Sequence, residues 1–436
     1  MENLSSIENF AESILKKAAK KGSEKTLVAI TQTEAKEFNV EANRFALLRT
    51  TFDQDLGMKT LIDQRQATVG GNQFDDDALN STIDTVIAST RAAPQDSANG
   101  FAPSQDVHDF SFGGGEINDE WIYRCLSDLL KHREEHFPSL LIEGGALKFI
   151  KTKKILYTSE GTRLSSQQGC YEGAILFTSK SGKKSSSMNY TGFQIAADRA
   201  GKPHSLLDEG NLKELFRQSG EQIDTRKIPS KFDGEIIVTP HCMEDFIGGW
   251  SGFLGSAQML KKTSFFENKL NEKVASAAWN LSSQPVDSDF ATRKFWTSDG
   301  YRSQNEMIFE NGILKNYLLN HYAAQKMERK VSLSEGSFLK MKNGNRPLQE
   351  MIRSVKKGLL LARFSAGRPS ENGDVAGVVK NSYYIENGEI QFPISETMIS
   401  MNLARLLHDT IDVSKETINN GTWELPWVRF GGVSVS

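Results

Sequence analysis

Cysteine is scarce in this chain. There are three in 436 residues, Cys125, Cys170 and Cys242, widely spaced and in no C-x-x-C pair. That excludes a disulfide scaffold and predicts free thiols in a reducing compartment. No stretch approaches the ~18 apolar residues that a membrane helix needs. The N-terminus sets Glu2, Glu8 and Glu12 among Lys16, Lys17, Lys20 and Lys21, with none of the apolar core of a secretory signal. Basic excess is absent too: 52 Lys and Arg stand against 55 Asp and Glu, a net charge of −3. A dedicated nucleic-acid binder usually carries a strong basic surplus. The expectation is a cytoplasmic protein with neither nucleic acid nor membrane as a partner.

Familiar catalytic signatures are missing as well. No His is followed by Glu, so the H-E-x-x-H zinc helix is excluded. Gly249-Trp250-Ser251-Gly252 lacks the second glycine at the place that G-x-S-x-G requires. Ser181-Gly182-Lys183-Lys184-Ser185 has no upstream P-loop glycine, and Lys184 stands where Ser or Thr would bind the metal.

What is present is enough for real cores. Hydrophobic residues make up 38% of the chain, and its length predicts two domains. The polar stretch 227–234, with Pro229, is the expected boundary, giving domains 1–230 and 231–436. In the first, Ile7, Phe10, Ala11, Ile14, Leu15 and Ala18 form a helical stripe, with Ser6 as a candidate N-cap and Gly22 as a stop. Strands are expected over 26–31, 45–52 and 57–62, then a helix over 78–90 carrying Leu79, Ile83, Val86 and Ile87 on one face. Residues 92–115, rich in Pro, Ser, Asp and Gly, read as a long surface connection. A helix is expected over 119–136, strands over 155–159, 171–179 and 185–193, and a helix within 205–223.

The second half opens with a short apolar strand at 235–238. Thr239 and Pro240 then suit the N-cap and first position of a helix running to about Lys262. Asn311-Gly312 and Asn387-Gly388 each sit between apolar, β-branched or aromatic runs and predict type I′ hairpins. Ile399, Leu403, Leu406 and Leu407 fall at helical spacing after the second hairpin. The stretch 427–435 reads as a closing strand.

The order of residues over 383–407, Y-Y-I-E-N-G-E-I-Q-F-P-I-S-E-T-M-I-S-M-N-L-A-R-L-L, resembles the C-terminal signature of the TldD/PmbA family. K-T-S-F-F-E-N-K-L-N-E-K-V at 262–274, T-S-D-G-Y-R-S-Q at 297–304 and G-R-P-S-E-N-G-D-V-A-G at 367–377 resemble further blocks of that family in the same order. Asn271 stands where a Gly is usual and Val375 where Phe is usual. L-G-M-K-T-L-I-D-Q-R-Q-A-T-V-G-G followed by D-D-D-A-L resembles the N-terminal domain.

The resemblance implies an α+β fold: an N-terminal mixed α/β domain and a β-rich, peptidase-like C-terminal domain. The family pairs TldD-type chains, which carry an H-E-x-x-x-H zinc helix, with PmbA/TldE-type chains that share the fold without that motif. This chain resembles the second kind. The family's older label, modulator of DNA gyrase, is not an expectation of DNA binding here. The implied role is a non-catalytic subunit of a cytoplasmic metallopeptidase, shaping the chamber in which unfolded or short peptides are held. The implied partner is a TldD-like subunit carrying the zinc, with no cofactor in this chain, or else a second copy. Arg363, Arg368, Asp374, Asn381 and Tyr383, around the C-terminal hairpin, are candidates for peptide or partner contact.

Two alternatives stay open. The first is a stand-alone zinc peptidase with a non-standard site. His132-Arg133-Glu134-Glu135-His136 matches H-x-x-E-H, with Glu135 as the base. It also reads as a cationic helix end before Pro138, and Lys131 and Arg133 oppose a metal. His241 and Cys242, beside Glu244 and Asp245, form a second candidate cluster, in which the two acids also suit a helix's first turn. The second alternative is a homodimeric peptide- or protein-binding regulator.

Overall fold

The computed structural model describes residues 4–287, 289–395 and 397–436, with side chains from residue 7 onward. Glu2 and the Ser6 side chain lie outside that set. Helix α1 spans Leu4–Lys20, so it begins two residues before Ser6. Gly22, at φ +92°, turns the chain out of it.

The first half is a sheet of unusually long strands, antiparallel except for one pair. β1 is Lys25–Glu41, β2 Arg44–Ile62, β3 Arg65–Gly71, β4 His108–Phe112, β5 Leu140–Thr158, β6 Arg163–Ser181, β7 Lys184–Ser185 and β8 Asn189–Ala196. The spatial order is β3-β2-β1-β5-β6-β4, with β7 and β8 on the rest of β6. Sequence reading breaks β1 and β2 into fragments and omits β3. The reason is that the connecting turns, Ala42-Asn43 and Asp63-Gln64, take positive φ without any glycine. The expected surface connection after residue 92 is also corrected. It contains β4, which pairs in parallel with β6, and it buries Phe101 and Ala102.

Strand alternation divides this sheet's two faces. On one face Val28, Ile30, Leu56, Met58, Ile155 and Tyr157 pack under α1 and α2 (Asp76–Ala92). Asp75 caps α2 through the amide of Ala78. Further along, Val40, Leu147, Phe149, Tyr171 and Phe177 pack under α3 (Asp119–His136) and α4 (Leu212–Glu221). The intervening residues Leu27 and Leu156 point the other way, into a cluster with Leu164, Phe101 and Trp296. The second half of the chain sits against that opposite face.

The second half is a mixed sheet: β9 (Phe232–Val238), β10 (Leu281–Ser283), β11 (Glu306–Glu310), β12 (Ile313–Leu314), β13 (Leu339–Met341), β14 (Lys357–Leu361), β15 (Arg363–Ala366), β16 (Asp374–Lys380), β17 (Tyr383–Glu386), β18 (Glu389–Pro393), β19 (Thr397–Asn402), β20 (Thr410–Asn419) and β21 (Glu424–Val435). β9 lies centrally, parallel to β14 and antiparallel to β21. Both Asn-Gly turns have positive φ at both residues and close β11–β12 and β17–β18, as type I′ geometry requires.

Two expectations change in this half. Ile399 belongs to β19, whose burial alternates along the strand, and the helix that follows covers only Leu403–His408. The helix after Pro240 breaks at Gly255 into α5 (Pro240–Leu254) and α6 (Ser256–Leu260). Together the two sheets and their helices make an α+β fold. No helix among the described residues is long and apolar enough to cross a membrane.

Candidate functional site

Helix α5 leaves the buried end of β9, with Ile236, Ile237 and Val238 sealed inside. Thr239 is extended, as an N-cap should be, but its hydroxyl turns to the carbonyl of Ala362 instead of capping. Pro240 opens the helix. Its inner face, Cys242, Met243, Phe246, Ile247, Trp250, Phe253 and Leu254, packs into the main core. Trp250 Nε1 donates to the carbonyl of Leu403 at 2.9 Å. Gly249 lies against Leu403, whereas Gly248 and Gly252 face open space. The glycines therefore belong only partly to the packed face of the helix.

The outer face of α5 borders a cleft of about 720 Å³ between the two halves of the chain. Its walls include His241, Glu244, Asp245, Arg363, Asn420 and Trp423. Its floor carries little side chain: Gly144 of β5 and Gly192 of β8 line it beside Ala146 and Ala174, while the Cβ directions of Gly145 and Gly173 run into Ile175 and Phe193. At Gly144 a side chain would meet nothing within 4 Å. Glycine within a strand marks such close approach, and the runs E-G-G-A at 143–146 and Y-E-G-A at 171–174 carried that signal. Trp423, Asn420 and Thr191 gave no local signal, because segments far apart in the chain bring them together.

Arg363 spans the cleft. Its Nε donates to Asn189 Oδ1 at 3.1 Å, another guanidinium nitrogen donates to the carbonyl of Tyr190, and the group lies 4.2 Å over the Tyr190 ring. A strand edge lies on each side. Among the described residues β15 pairs only with β16 and β8 only with β6, although Asn420 takes up part of the β8 edge by accepting from the Gln194 amide. A smaller hollow of about 380 Å³ continues the cleft past Tyr190, Asp245 and Phe364 to Pro369.

His241 is buried, and its Nε2 sits 3.1 Å from Thr191 Oγ1. Burial, helped by the nearby Arg363 charge, pushes its pKa down to about 3, so it is neutral at pH 7. Glu244 and Asp245 lie in the second turn of α5, not the first. Both stay open to the water of the cleft, yet the surrounding protein raises their carboxyl pKa values. His241 also lines a second cavity of about 620 Å³, with Glu214, Arg217, Glu221 and Tyr383.

The other candidates from sequence scatter. Tyr383 is buried in that second cavity and donates to Glu221 at 2.8 Å. Asn381 is buried, and its amide donates to the carbonyl of Met188. Arg368 is exposed on the loop after β15. Asp374 is exposed on β16 and accepts from Asn402 at 2.8 Å. Of these five only Arg363 lines the main cleft.

The possible metal ligands also separate. His132 and His136 lie with ring centroids 4.3 Å apart, tilted by 47°, at the end of α3. Burial and the neighbouring His136 and Lys213 lower the His132 pKa. Cys242 faces the core, and burial pushes its thiol well above the usual range. Among the described residues no three His, Cys, Asp or Glu side chains are grouped to hold a metal. A catalytic zinc site takes three protein ligands and an open position. The donors present do not fit one: His241 already has Thr191 as its partner, and the His132–His136 pair has no third ligand.

Residues 232–436, from β9 to the last strand, match the PmbA/TldA metallopeptidase C-terminal domain. The C-terminal part of the chain is a domain of the PmbA/TldD family. It is 21% identical over 410 residues to a metalloprotease PmbA homolog of Haemophilus influenzae, covering 89% of this chain and 87% of that one. It spans about half the length of other curated PmbA relatives that it matches. The fold is that of TldE from Thermococcus kodakarensis, with a TM-score of 0.80 at 16% identity over 98% of this chain and 100% of that one. It is also that of a candidate DNA gyrase modulator from Bacteroides thetaiotaomicron, with a TM-score of 0.83 at 20% identity over 100% of both chains. Helix α5 carries His241, Cys242, Glu244 and Asp245 without a convergent metal set among the described residues.

Proposed function

We propose that this chain is a PmbA/TldE-type, non-catalytic subunit that holds short or unfolded peptides for a TldD-like zinc peptidase chain. One observation carries the reading: the cleft beside α5 has a glycine floor and bordering strand edges, but its polar walls do not converge on a metal. Such a site can bind extended backbone, and its donors do not form a zinc centre. β15 has no strand on its second edge among the described residues, so a peptide can dock there as an added strand, gaining affinity from main-chain hydrogen bonds. Arg363 and the pair Glu244 and Asp245 supply charges of both signs for the peptide's termini. The catalytic zinc belongs to the partner, and this chain forms part of the chamber wall. Three free, buried cysteines suit a reducing, cytoplasmic setting.

Labelled peptides from a casein digest, titrated into the purified chain, test this reading. The expected result is saturable binding without cleavage. Gly144→Leu, which fills the open floor, should abolish binding while leaving the circular dichroism unchanged. Cleavage by the isolated chain, or binding indifferent to Gly144→Leu, would overturn it.

A further inference from the structure

The second cavity, of about 620 Å³, sets two unlike walls against each other. One wall is a face of α4. Leu212 and Phe216 of that helix pack into the core of the first half. Glu214, Arg217, Gln218 and Glu221, spaced three and four apart, share another face and line the cavity.

The opposing wall comes from the second half and is apolar. Leu360 of β14, Trp427 of β21 and Ile352 of the short helix Leu348–Arg353 are buried in one cluster with Tyr383. Leu348 and Ile390 extend this lining, and Ile390 reaches the surface. Water held against aliphatic side chains lacks the two to four polar partners that an ordered water needs. An apolar body is the better occupant of that side.

The polar wall has a definite charge. Arg217 donates to both oxygens of Glu214, at 2.6 and 2.7 Å, and also to Glu221. Glu214 accepts further from Gln218 at 2.9 Å, and Glu221 from Tyr383 at 2.8 Å. Two carboxylates thus face one guanidinium, a surplus of one negative charge. His241 does not cancel it, because burial keeps that imidazole neutral at pH 7. The side chains of Glu214, Glu221 and Arg217 are 38%, 43% and 49% exposed, so the charges stand at the mouth and the apolar wall lies deeper. Its volume suits a small molecule, for which sites run to roughly 300–1,000 Å³. An acid would meet a like charge at the entrance, and a cation would meet its complement.

We propose that this cavity binds a small amine with an apolar body. The ammonium sits at Glu214 and Glu221, and the body lies against Leu360, Ile352 and Trp427. The site is separate from the peptide-holding cleft, with which it shares only the His241 wall.

Isothermal titration calorimetry of the full chain at pH 7 with 2-phenylethylamine tests this. Saturable one-to-one binding is expected. 3-Phenylpropionate, an aromatic body with the opposite charge, should bind at least ~10-fold more weakly. Methylammonium, the charge without the body, should give no saturable heat. Glu214→Gln/Glu221→Gln keeps acceptor oxygens for Arg217 and Tyr383 but turns the surplus charge positive. It should weaken the amine at least ~10-fold and make the acid the preferred ligand, with the circular dichroism unchanged. Absence of saturable amine binding would overturn the proposal. So would a wild type that takes the acid or methylammonium as tightly, or a folded double variant that keeps the amine's affinity. Casein peptides should bind this variant as they bind the wild type, so failure of the peptide-holding role shows separately.

Discussion

His241 Nε2 and Thr191 Oγ1 meet at 3.1 Å, joining the first helical turn of one half to an edge strand of the other. His241 is also the wall common to two cavities. The contact makes the joint sensitive to acid. In the unfolded chain His241 takes up a proton near pH 6.5, and in the folded chain near 3. Between those values the unfolded state binds more protons, so stability falls as pH drops from about 6.5 towards about 3. Glu244 and Asp245, whose pKa values are raised, work in the opposite direction and offset part of the loss. His241→Asn should flatten the acid limb of urea midpoints plotted against pH, by up to about 1.4 kcal/mol per pH unit. An unchanged slope would show that the histidine does not drive acid unfolding.

The ion pair between Lys59 and Asp299, at 2.6 Å with both side chains largely buried, ties β2 to the second half. Asp299 also accepts the backbone amide of His321 at 2.8 Å. Asp299→Ala strands a buried ammonium and should cost about 2–3 kcal/mol in denaturant unfolding. Adding Lys59→Met should recover part of that. A loss below ~0.5 kcal/mol would mean that water already solvates the lysine.

Gly388 is required for two reasons. It sits at φ +80°, and a Cβ there would lie 2.4 Å from the carbonyl oxygen of Arg353. Gly388→Ala should therefore destabilise by about 1–3 kcal/mol, whereas Asn387→Gly, one residue earlier at φ +51°, should stay within ~0.5 kcal/mol. Equal thermal shifts for the two variants would contradict this.

Local rules read some of this molecule well. The limits 119–136 of α3 coincide with its amphipathic stripe, and both Asn-Gly turns carry their chemistry in the sequence. Sequence patterns break β1 and β2 into fragments, because Ala42-Asn43 and Asp63-Gln64 hold positive φ where glycine is usual. Ile399 and Leu403, four apart, satisfy a helical spacing and a strand spacing alike, and burial along β19 decides for the strand. The cleft was legible only in part. His241, Glu244, Asp245 and Arg363 stood out as charged or ligating residues. Thr191, Asn420 and Trp423 join them only through the packing of one half on the other.

Zinc stoichiometry of the purified chain, measured by elemental analysis after dialysis against metal-free buffer, tests most directly the central proposal that this chain holds peptide without a metal centre of its own. The account predicts near-zero zinc and no change in melting temperature with chelator. About one zinc per chain, lost on substitution of His132, His136, His241 or Cys242, would contradict it.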